Sequence, residues 1–496
     1  MSEPATSPVD DYRRVIEELE RSIRPLATSV DGRQFTFQAS LHGLALQTGG
    51  YVVLEREGAT SFGQILTLRP DTGQAQTGSE RGPSQVPIRL VRGEGSILDG
   101  DGHTFHDAVA RPATPAEVDA WFVGVRPRRS ALAIGDMLLA PGVPAVLDAG
   151  GFNRHTFMCG QSGSGKTYSL GLVLEQLLVD TSLRMVILDP NSDYVRLSEV
   201  RDGTGTDVAT RYAAAAGDVT VWGNHDGAGQ PLRLQFADVD TTAQAALLGL
   251  DPVRDREEYA ALAGILAAGR RGQALITGLD ALLSSENPDV RQLGLRAANL
   301  GVLTWSIWSS GQGRSLVEEL EEPTSRCLVV DLGSLDTVAE QRLIAETVLS
   351  TLWRNRSRRE PCLVVIDEAH NVCPSKPADA VTALATNYAS LIAAEGRKFG
   401  LYLLTSTQRP QKVNEEVLSQ CDNLLLMRMN SEADLGYLSD TFSFVPPSLI
   451  QRATTFGLGE TLVAGKFFPH AGYVKFGARV SQEGGADIPT AWANPV

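Results

Sequence analysis

Residues 160–167 read GQSGSGKT and match the phosphate-binding pattern G-x-x-x-x-G-K-[ST]. An apolar run, HTFMC at 155–159, precedes them and a helix-forming run follows, so the loop is predicted to join a strand to a helix. Glycines let backbone N–H groups close around phosphate oxygens, and the amino end of a helix favours anions. The stretch therefore predicts a nucleotide site in an α/β domain. A glycine-rich turn without a ligand is the alternative.

Residues of this loop have the chemistry that a nucleoside triphosphate requires. Lys166 is predicted to neutralise the β- and γ-phosphates, and the hydroxyl of Thr167 to bind Mg²⁺. ATP and Mg²⁺ are therefore the expected cofactors. The residues assigned to nucleotide binding are Gly160, Gly163, Ser164, Gly165, Lys166 and Thr167.

A second element, LVVIDE at 363–368, complements the loop. Its four apolar residues indicate a strand buried on both faces, and ligands bind at the carboxyl ends of strands in an open α/β sheet. We assign Asp367 to the Mg²⁺ shell, and Glu368 to orienting and deprotonating the attacking water. The acidic pair could instead cap a helix, which is the alternative. His370 is interpreted as a structural neighbour.

The pattern of the chain divides it into segments of different class. Short strands broken by Gly, Asp and Pro favour a small β-barrel or sandwich before the loop, and an Ala/Leu-rich stretch favours a helical insertion after it. The expected segments are an amphipathic helix within 1–32, a β-barrel at 33–145, the α/β core at 146–239 and 325–480, the insertion at 240–324 and a tail at 481–496.

Composition excludes several classes of protein. The 496 residues carry a formal net charge of −15, so any contact with nucleic acid requires a local basic surface. Five cysteines without C-x-x-C spacing argue against a zinc site or a disulfide framework and favour a reducing compartment. The polar start of the sequence and the absence of a long apolar run predict a cytoplasmic protein without a membrane segment.

Several motifs together resemble one family. They are the loop GQSGSGKT, MVILDPNSDY at 185–194, LVVIDEAHN at 363–371, EGRKFGLYLLTSTQRP at 395–410 and SQCDNLLLMRMNSEADLGYL at 419–438. In this order they are similar to the HerA/FtsK superfamily of ring ATPases, with HerA the closer match, over about 133–470. The resemblance implies a RecA-like P-loop core, a small β-barrel at 33–145 and a hexameric ring with DNA in its central pore.

The resemblance also implies further site residues. Gln408 matches the polar sensor of the γ-phosphate, and Arg397 matches the arginine finger supplied to the neighbouring subunit. Gln408 could instead order a loop and Arg397 could cap a helix, and Lys398 and Arg409 compete for the role of finger. Asp189, which ends its predicted strand, could contact the Mg²⁺ shell or a water molecule indirectly.

The surface that contacts DNA is less defined by the sequence. The basic run Arg354, Arg356, Arg358 and Arg359 precedes the strand of Asp367, so it is interpreted as a solvated surface at the sheet edge opposite the nucleotide. The candidates for a pore are Lys376 and the pair Arg270-Arg271.

The leading functional hypothesis is an ATP-driven double-stranded DNA translocase or helicase-type motor. The resemblance implies a separate partner, either a nuclease in DNA-end processing or a nuclease or sirtuin-like effector in antiviral defence, and the sequence does not choose between these settings. The alternatives are an ATP-regulated scaffold that controls an effector without moving along DNA, and a secretion-type ATPase that pumps protein.

Overall fold

A computed structural model describes residues 25–41, 45–79, 82–126, 131–224, 229–270, 280–308 and 313–485, together with Arg14. Residues 1–13 and 15–24 of the segment for which an amphipathic helix is predicted, and the tail beyond 485, lie outside these residues. Within the described parts of the chain, no helix is both long enough and apolar enough to cross a bilayer.

The amino-terminal part is a closed antiparallel barrel. Its strands are β1 (Leu26–Ser29), β2 (Gln34–Ser40), β3 (Tyr51–Arg56), β4 (Ala59–Ser79), β5 (Gly82–Asp99) and β6 (Phe105–Pro112). Their order is β1-β2-β5-β4-β3-β6, with β6 returning to β1. Side chains alternate along β2, so Phe35 and Phe37 point into the barrel and their neighbours face out. The prediction of a small β-barrel is confirmed.

The α/β core is built on an eleven-stranded sheet in the order β11-β12-β10-β13-β14-β9-β15-β16-β17-β7-β8. Its strands are β7 (Ala131–Met137), β8 (Pro144–Asp148), β9 (His155–Cys159), β10 (Arg184–Asp189), β11 (Val219–Trp222), β12 (Cys327–Asp331), β13 (Cys362–Ile366), β14 (Leu401–Thr407), β15 (Cys421–Met427), β16 (Glu460–Gly465) and β17 (Gly472–Phe476). In this order the first seven strands, which include β9 and β10, are parallel to one another. The last four, β16, β17, β7 and β8, pair in antiparallel fashion.

Helices cover the parallel strands, so β9, β12 and β13 are buried at every residue. Helix α1 (Pro115–Val125) lies between the last strand of the barrel and the first strand of the core. The helices of the core are α2 (Lys166–Asp180), α3 (Thr206–Ala216), α9 (Val338–Arg354), α10 (Ala380–Glu395), α11 (Glu415–Leu418), α12 (Glu432–Thr441) and α13 (Pro447–Gln451). The intervening helices are α4 (Thr241–Leu247), α5 (Arg256–Arg270), α6 (Asp280–Leu283), α7 (Pro288–Asn299) and α8 (Leu316–Glu321). Between Phe236 and Val302 they enclose a small core of their own.

The boundary expected at residue 145 differs from the structure. Strand β7 pairs with β17, and β8 pairs with β7, so both strands belong to the large sheet and not to the barrel. The alternating burial of β7 resembles that of a barrel strand, and the local pattern therefore gave no sign of its partner. The barrel itself is held on the core by a hydrogen bond of 2.9 Å between Tyr51 Oη and His470 Nε2, and by Gln64 Nε2, which donates to the carbonyl oxygen of Ala471 at 2.9 Å.

The arginine run at 354–359 lies at the amino ends of the parallel strands, because it links the end of α9 to the start of β13. The guanidinium of Arg356 lies 4.3 Å from the centroid of the Trp353 ring, and Arg358 donates to the carbonyl oxygen of Glu321. This edge is opposite the phosphate-binding loop, which follows the carboxyl end of β9. Arg354, Arg358 and Arg359 are exposed, so the run forms a largely solvated surface at the expected edge.

Candidate nucleotide site

The phosphate-binding loop connects β9 to α2, as its sequence predicts. Gly163 and Gly165 have φ angles of +70° and +91°, a region that favours glycine. Two neighbouring segments hold the loop from outside: Gln161 N donates to the carbonyl oxygen of Arg428 at 2.9 Å, and Gly459 N donates to that of Ser164 at 3.0 Å. The loop is thus shaped by its own glycines and by contacts with residues far along the chain.

Lys166, the first residue of α2, is directed at the acidic strand end. Its Nζ lies 2.7 Å from Asp367 Oδ1, 3.2 Å from Glu368 Oε1 and 3.0 Å from Ser406 Oγ. Burial by itself would lower the pKa of Lys166, but the charges of Asp367 and Glu368 outweigh burial and raise it. The lysine is therefore a cation that two carboxylates neutralise in the absence of phosphate.

Glu368 is held in one orientation by its backbone and by three partners. Its φ is +44°, an unusual angle for a residue with a side chain, and the residue is 6% exposed. Besides Lys166, Glu368 contacts His370, whose Nδ1 lies 3.2 Å from Oε2, and Gln408, whose Nε2 donates to Oε1 at 3.2 Å. Burial alone would raise the pKa of Glu368, but the hydrogen bond from His370 and the charge of Lys166 lower it to about 2.

This low pKa depends partly on Lys166, and so on what the lysine contacts. A carboxylate with a pKa near 2 is a weak base at neutral pH. If a phosphate draws Lys166 away, Glu368 loses one of the groups that lower its pKa, and its basicity rises. The arrangement therefore links the strength of the base to occupation of the loop.

A cavity of roughly 780 Å³ adjoins these side chains. Its wall includes Lys166, Thr167 and Gln408, and on the far side residues of the turn before β16 and of the segment after β17. The volume falls in the range of small-molecule sites, which is about 300–1,000 Å³. The cavity therefore has room for a nucleoside in addition to the phosphates.

The predicted Mg²⁺ ligands have suitable chemistry. Asp367 follows β13 and supplies a buried carboxylate, and Thr167, in the first turn of α2, lines the cavity. Oxygen ligands suit Mg²⁺, which commonly takes one or two carboxylates and completes its shell with water and phosphate oxygens. Among the described residues there is no group of three or more His, Cys, Asp or Glu that could hold a metal without such help. The donor set fits a nucleotide-bound Mg²⁺.

Asp189 does not contact the cavity directly. Its carboxylate accepts the N–H groups of Asn191, Asp193 and Tyr194, so it organises the loop after β10. Burial raises the pKa of Asp189 to about 8 in spite of these hydrogen bonds. Asp193, which this loop presents, lines the cavity instead, and burial with the nearby charge of Asp367 raises its pKa to about 6. Sequence reasoning chose the strand-end aspartate and missed the one four residues later.

Arg397 lies away from the phosphate-binding loop of its own chain. It precedes β14, whereas Gln408 follows that strand, and seven residues of β-strand span about 23 Å. Arg397 Nη1 is 3.5 Å from Asp422 Oδ2, and Arg154 Nε is 3.8 Å from the same oxygen. Lys398 lies beside Arg397 at this edge, while Arg409 follows Gln408 at the nucleotide edge.

Other residues reach the site only because strands that are far apart in the sequence pair with each other. Ser406, which contacts Lys166, is paired with Met158 of β9, and Tyr194 Oη donates to Asp367 Oδ2 at 3.4 Å. Arg428 follows β15, and its Nη2 donates to the carbonyl oxygen of Gly163 at 2.9 Å. Ser406 and Arg428 both lie in stretches that carry the family resemblance, but their partners are more than two hundred residues away in the sequence.

Comparisons with known proteins agree with this geometry. A family profile described as "Helicase HerA, central domain" matches residues 132–286. The DNA double-strand break repair helicase HerA of Pyrococcus furiosus is 23% identical over 401 residues, which are 67% of each chain. The protein of the same name from Sulfurisphaera tokodaii is 30% identical over 167 residues, 32% of this chain and 33% of that protein.

A solved structure, VirB4 of Thermoanaerobacter pseudethanolicus, is 15% identical, with a TM-score of 0.48 over 71% of this chain and 98% of that one.

Proposed function

We propose that the chain, a HerA-like ATPase of the HerA/FtsK superfamily, forms a ring that moves double-stranded DNA as it hydrolyses ATP. The observation that carries the proposal is the convergence of Lys166, Asp367, Glu368 and Gln408, of which Lys166 and Gln408 line the cavity. These four residues come from three different segments, and their side chains form a chain of contacts between 2.7 and 3.2 Å.

Hydrolysis follows from this arrangement in three steps. The backbone amides of the loop and Lys166 bind the phosphates, and the lysine leaves the two carboxylates as it does so. Thr167 and Asp367 would hold Mg²⁺, which neutralises charge on the phosphate oxygens. Glu368, with its basicity raised, orients a water molecule and accepts its proton, and Gln408, hydrogen-bonded to Glu368, is placed to respond to the γ-phosphate.

A ring supplies what a single subunit lacks. Arg397 and Arg154 lie at the edge opposite their own loop, so they can approach a γ-phosphate only in a neighbouring subunit. A head-to-tail contact repeated by rotation closes into a ring, and by analogy with the family we propose a hexamer. An arginine supplied in this way stabilises the charge of the transition state.

DNA in the central pore of such a ring requires a local basic surface, because the chain as a whole is acidic. Lys376 is exposed and lies on the nucleotide edge of the sheet, in the segment that follows β13. A ring repeats such a residue in every subunit, so one lysine per chain yields a basic belt. Of the other candidate pair, Arg271 lies outside the described residues.

We expect linear duplex DNA to stimulate ATP hydrolysis severalfold, because a motor hydrolyses ATP faster when its bore is occupied. The measurement is steady-state phosphate release by the purified full chain with and without duplex, and the Glu368→Gln variant is the background control. The rate should lose its stimulation as salt rises, because phosphate contacts release counterions. A hydrolysis rate that duplex DNA leaves unchanged at low salt would favour the ATP-regulated scaffold and contradict translocation.

We also propose that the motor works with a separate effector, a nuclease or a sirtuin-like enzyme, in DNA-end processing or antiviral defence. The barrel is the surface best suited to dock it, since the core needs its flanks for neighbouring subunits. Deleting residues 1–112 is expected to abolish binding of the purified effector and to preserve binding of ATP. This cut keeps α1, β7 and β8, which belong with the core.

The control for this deletion is thermal unfolding, because removing the barrel takes away Tyr51 and so uncovers His470 of the core. Wild-type affinity of the effector for a folded 113–496 chain would locate the docking surface elsewhere.

A further inference from the structure

One large apolar side chain is exposed on the wall of the nucleotide cavity. Leu458 is 65% exposed, in the turn Gly457-Leu458-Gly459 that precedes β16. A leucine this exposed forgoes the burial that usually stabilises it. Unlike the exposed valines and leucines elsewhere on the described chain, it faces a cavity that also contains the phosphate-binding loop.

The turn is fixed to that loop and to β17. Gly459 N donates to the carbonyl oxygen of Ser164 at 3.0 Å, and Phe476 N donates to that of Gly459 at 2.9 Å. Lys475 Nζ donates to the carbonyl oxygen of Leu458 itself. A side chain attached at a turn with so many main-chain contacts is pre-positioned, so little conformational freedom is lost when a ligand packs on it.

The neighbouring wall is also apolar or aromatic. Tyr168 directly follows Thr167 in α2, and its hydroxyl accepts a hydrogen bond of 2.7 Å from Arg479 N, which fixes the ring. Phe476 lines the cavity beside it. The wall of the cavity thus combines the polar side chains of Lys166 and Gln408 with the apolar or aromatic ones of Leu458, Tyr168 and Phe476. Lys475 and Glu483 also line it.

We propose that Leu458 covers one face of the base of the bound nucleotide, with Tyr168 and Phe476 completing an apolar base pocket. This inference rests on the proposed nucleotide site, because binding of the phosphates to the loop determines which part of the ligand is left to contact these side chains. The loop amides and Lys166 bind the phosphates, so the base is the part of the ligand that remains to pack on the apolar side chains of the same cavity. A leucine contact depends on the area of the base rather than on its exocyclic groups, so adenine and guanine are covered alike.

The test is calorimetric titration of the full chain with three ligands in the presence of Mg²⁺: a non-hydrolysable ATP analogue, the corresponding GTP analogue and inorganic tripolyphosphate. Leu458→Ala is expected to weaken both nucleotides about five- to tenfold, from the apolar area lost. Tripolyphosphate, which has no base, should bind the variant as it binds the wild type. Leu458→Met retains the apolar area and should restore the affinity for both nucleotides.

Val253→Ala is the matched control, since Val253 is 75% exposed in the segment between α4 and α5 and far from the loop in sequence. Unchanged nucleotide affinity in Leu458→Ala would overturn the inference and leave the site itself intact. So would a loss of ring assembly with normal affinity in the assembled fraction, since Leu458 would then belong to a subunit contact. Wild-type protein that binds none of the three ligands would instead contradict the proposed nucleotide site.

Discussion

Replacing Glu368 by glutamine is expected to preserve ATP binding and to lower the rate of hydrolysis at least about 100-fold, the usual contribution of a general base. The amide keeps the size and can still hydrogen-bond to Gln408, but it cannot accept a proton from water. Binding persists because the loop amides and Lys166 remain. The measurements are equilibrium titration of ATP and steady-state phosphate release by the same preparation.

The contrasting variant is Lys166→Ala, which should abolish nucleotide binding itself. It removes the cation that neutralises Asp367 and Glu368, so a thermal unfolding curve is needed to show that the loss is not one of folding. Near wild-type hydrolysis by Glu368→Gln, in protein freed of metal and then returned to Mg²⁺, would assign the base to another residue. Asp193 would be the first to examine, because it lines the cavity and its carboxylate is close enough to Lys166 for the charge of the lysine to act on it.

The sequence predicts the part of the site that is formed by residues close together in the chain. A strand, a loop with two glycines in the left-handed region and a helix follow one another between His155 and Asp180, and the pattern GQSGSGKT with its flanking residues indicates all three. The apolar run before Asp367 and Glu368 likewise indicates a buried strand whose carboxyl end bears the acids.

The contacts that complete the site depend on which strands become neighbours. Lys166 meets Ser406 because β14 pairs with β9, and meets Asp367 because β13 pairs with β14. No local pattern contains this order. The same limit explains the position of β7, which alternates like a barrel strand and yet joins the large sheet.

Asp189 and Asp193 illustrate a second limit. The strand pattern identifies Asp189 as the residue at the end of β10, and the structure agrees. Its side chain turns back on its own loop because three N–H groups require an acceptor there. The hydrogen bonds of a turn, which decide the direction of each carboxylate, are not readable from residue types alone.

Arg397 is available for a role outside its own subunit because little holds it. Its guanidinium is paired with Asp422 at 3.5 Å, and both side chains are about 40% exposed. Ion pairs this exposed contribute little to stability, so Arg397 can leave Asp422 at small cost when a neighbouring subunit offers a phosphate. The same carboxylate lies 3.8 Å from Arg154, which makes Arg154 the closest substitute for the finger on this edge.

Mixing two inactive variants is therefore expected to restore activity. Arg397→Ala should lower the hydrolysis rate about 1,000-fold or more, the usual effect of removing an arginine finger, while retaining ATP binding. A Lys166→Ala subunit binds no ATP but still carries Arg397, so it can complete the site of an adjacent Arg397→Ala subunit. In randomly mixed rings of equal proportions, about one quarter of the interfaces are complete in this way. Phosphate release by co-assembled, differently tagged subunits measures the recovery.

Two controls separate this mechanism from simpler ones. Lys398→Ala changes the adjacent exposed cation in the same short helical turn, and should leave hydrolysis near the wild-type rate if Arg397 is the finger. Mixing Arg397→Ala with the double variant Lys166→Ala and Arg397→Ala should restore nothing, because no subunit then donates the arginine. Recovery in that second mixture would show that the restored activity comes from reassembly alone. Full activity of Arg397→Ala by itself would exclude Arg397 as the finger. The next variants would then be Arg154→Ala, at the same edge of the sheet, and Arg409→Ala, one of which would have to abolish hydrolysis.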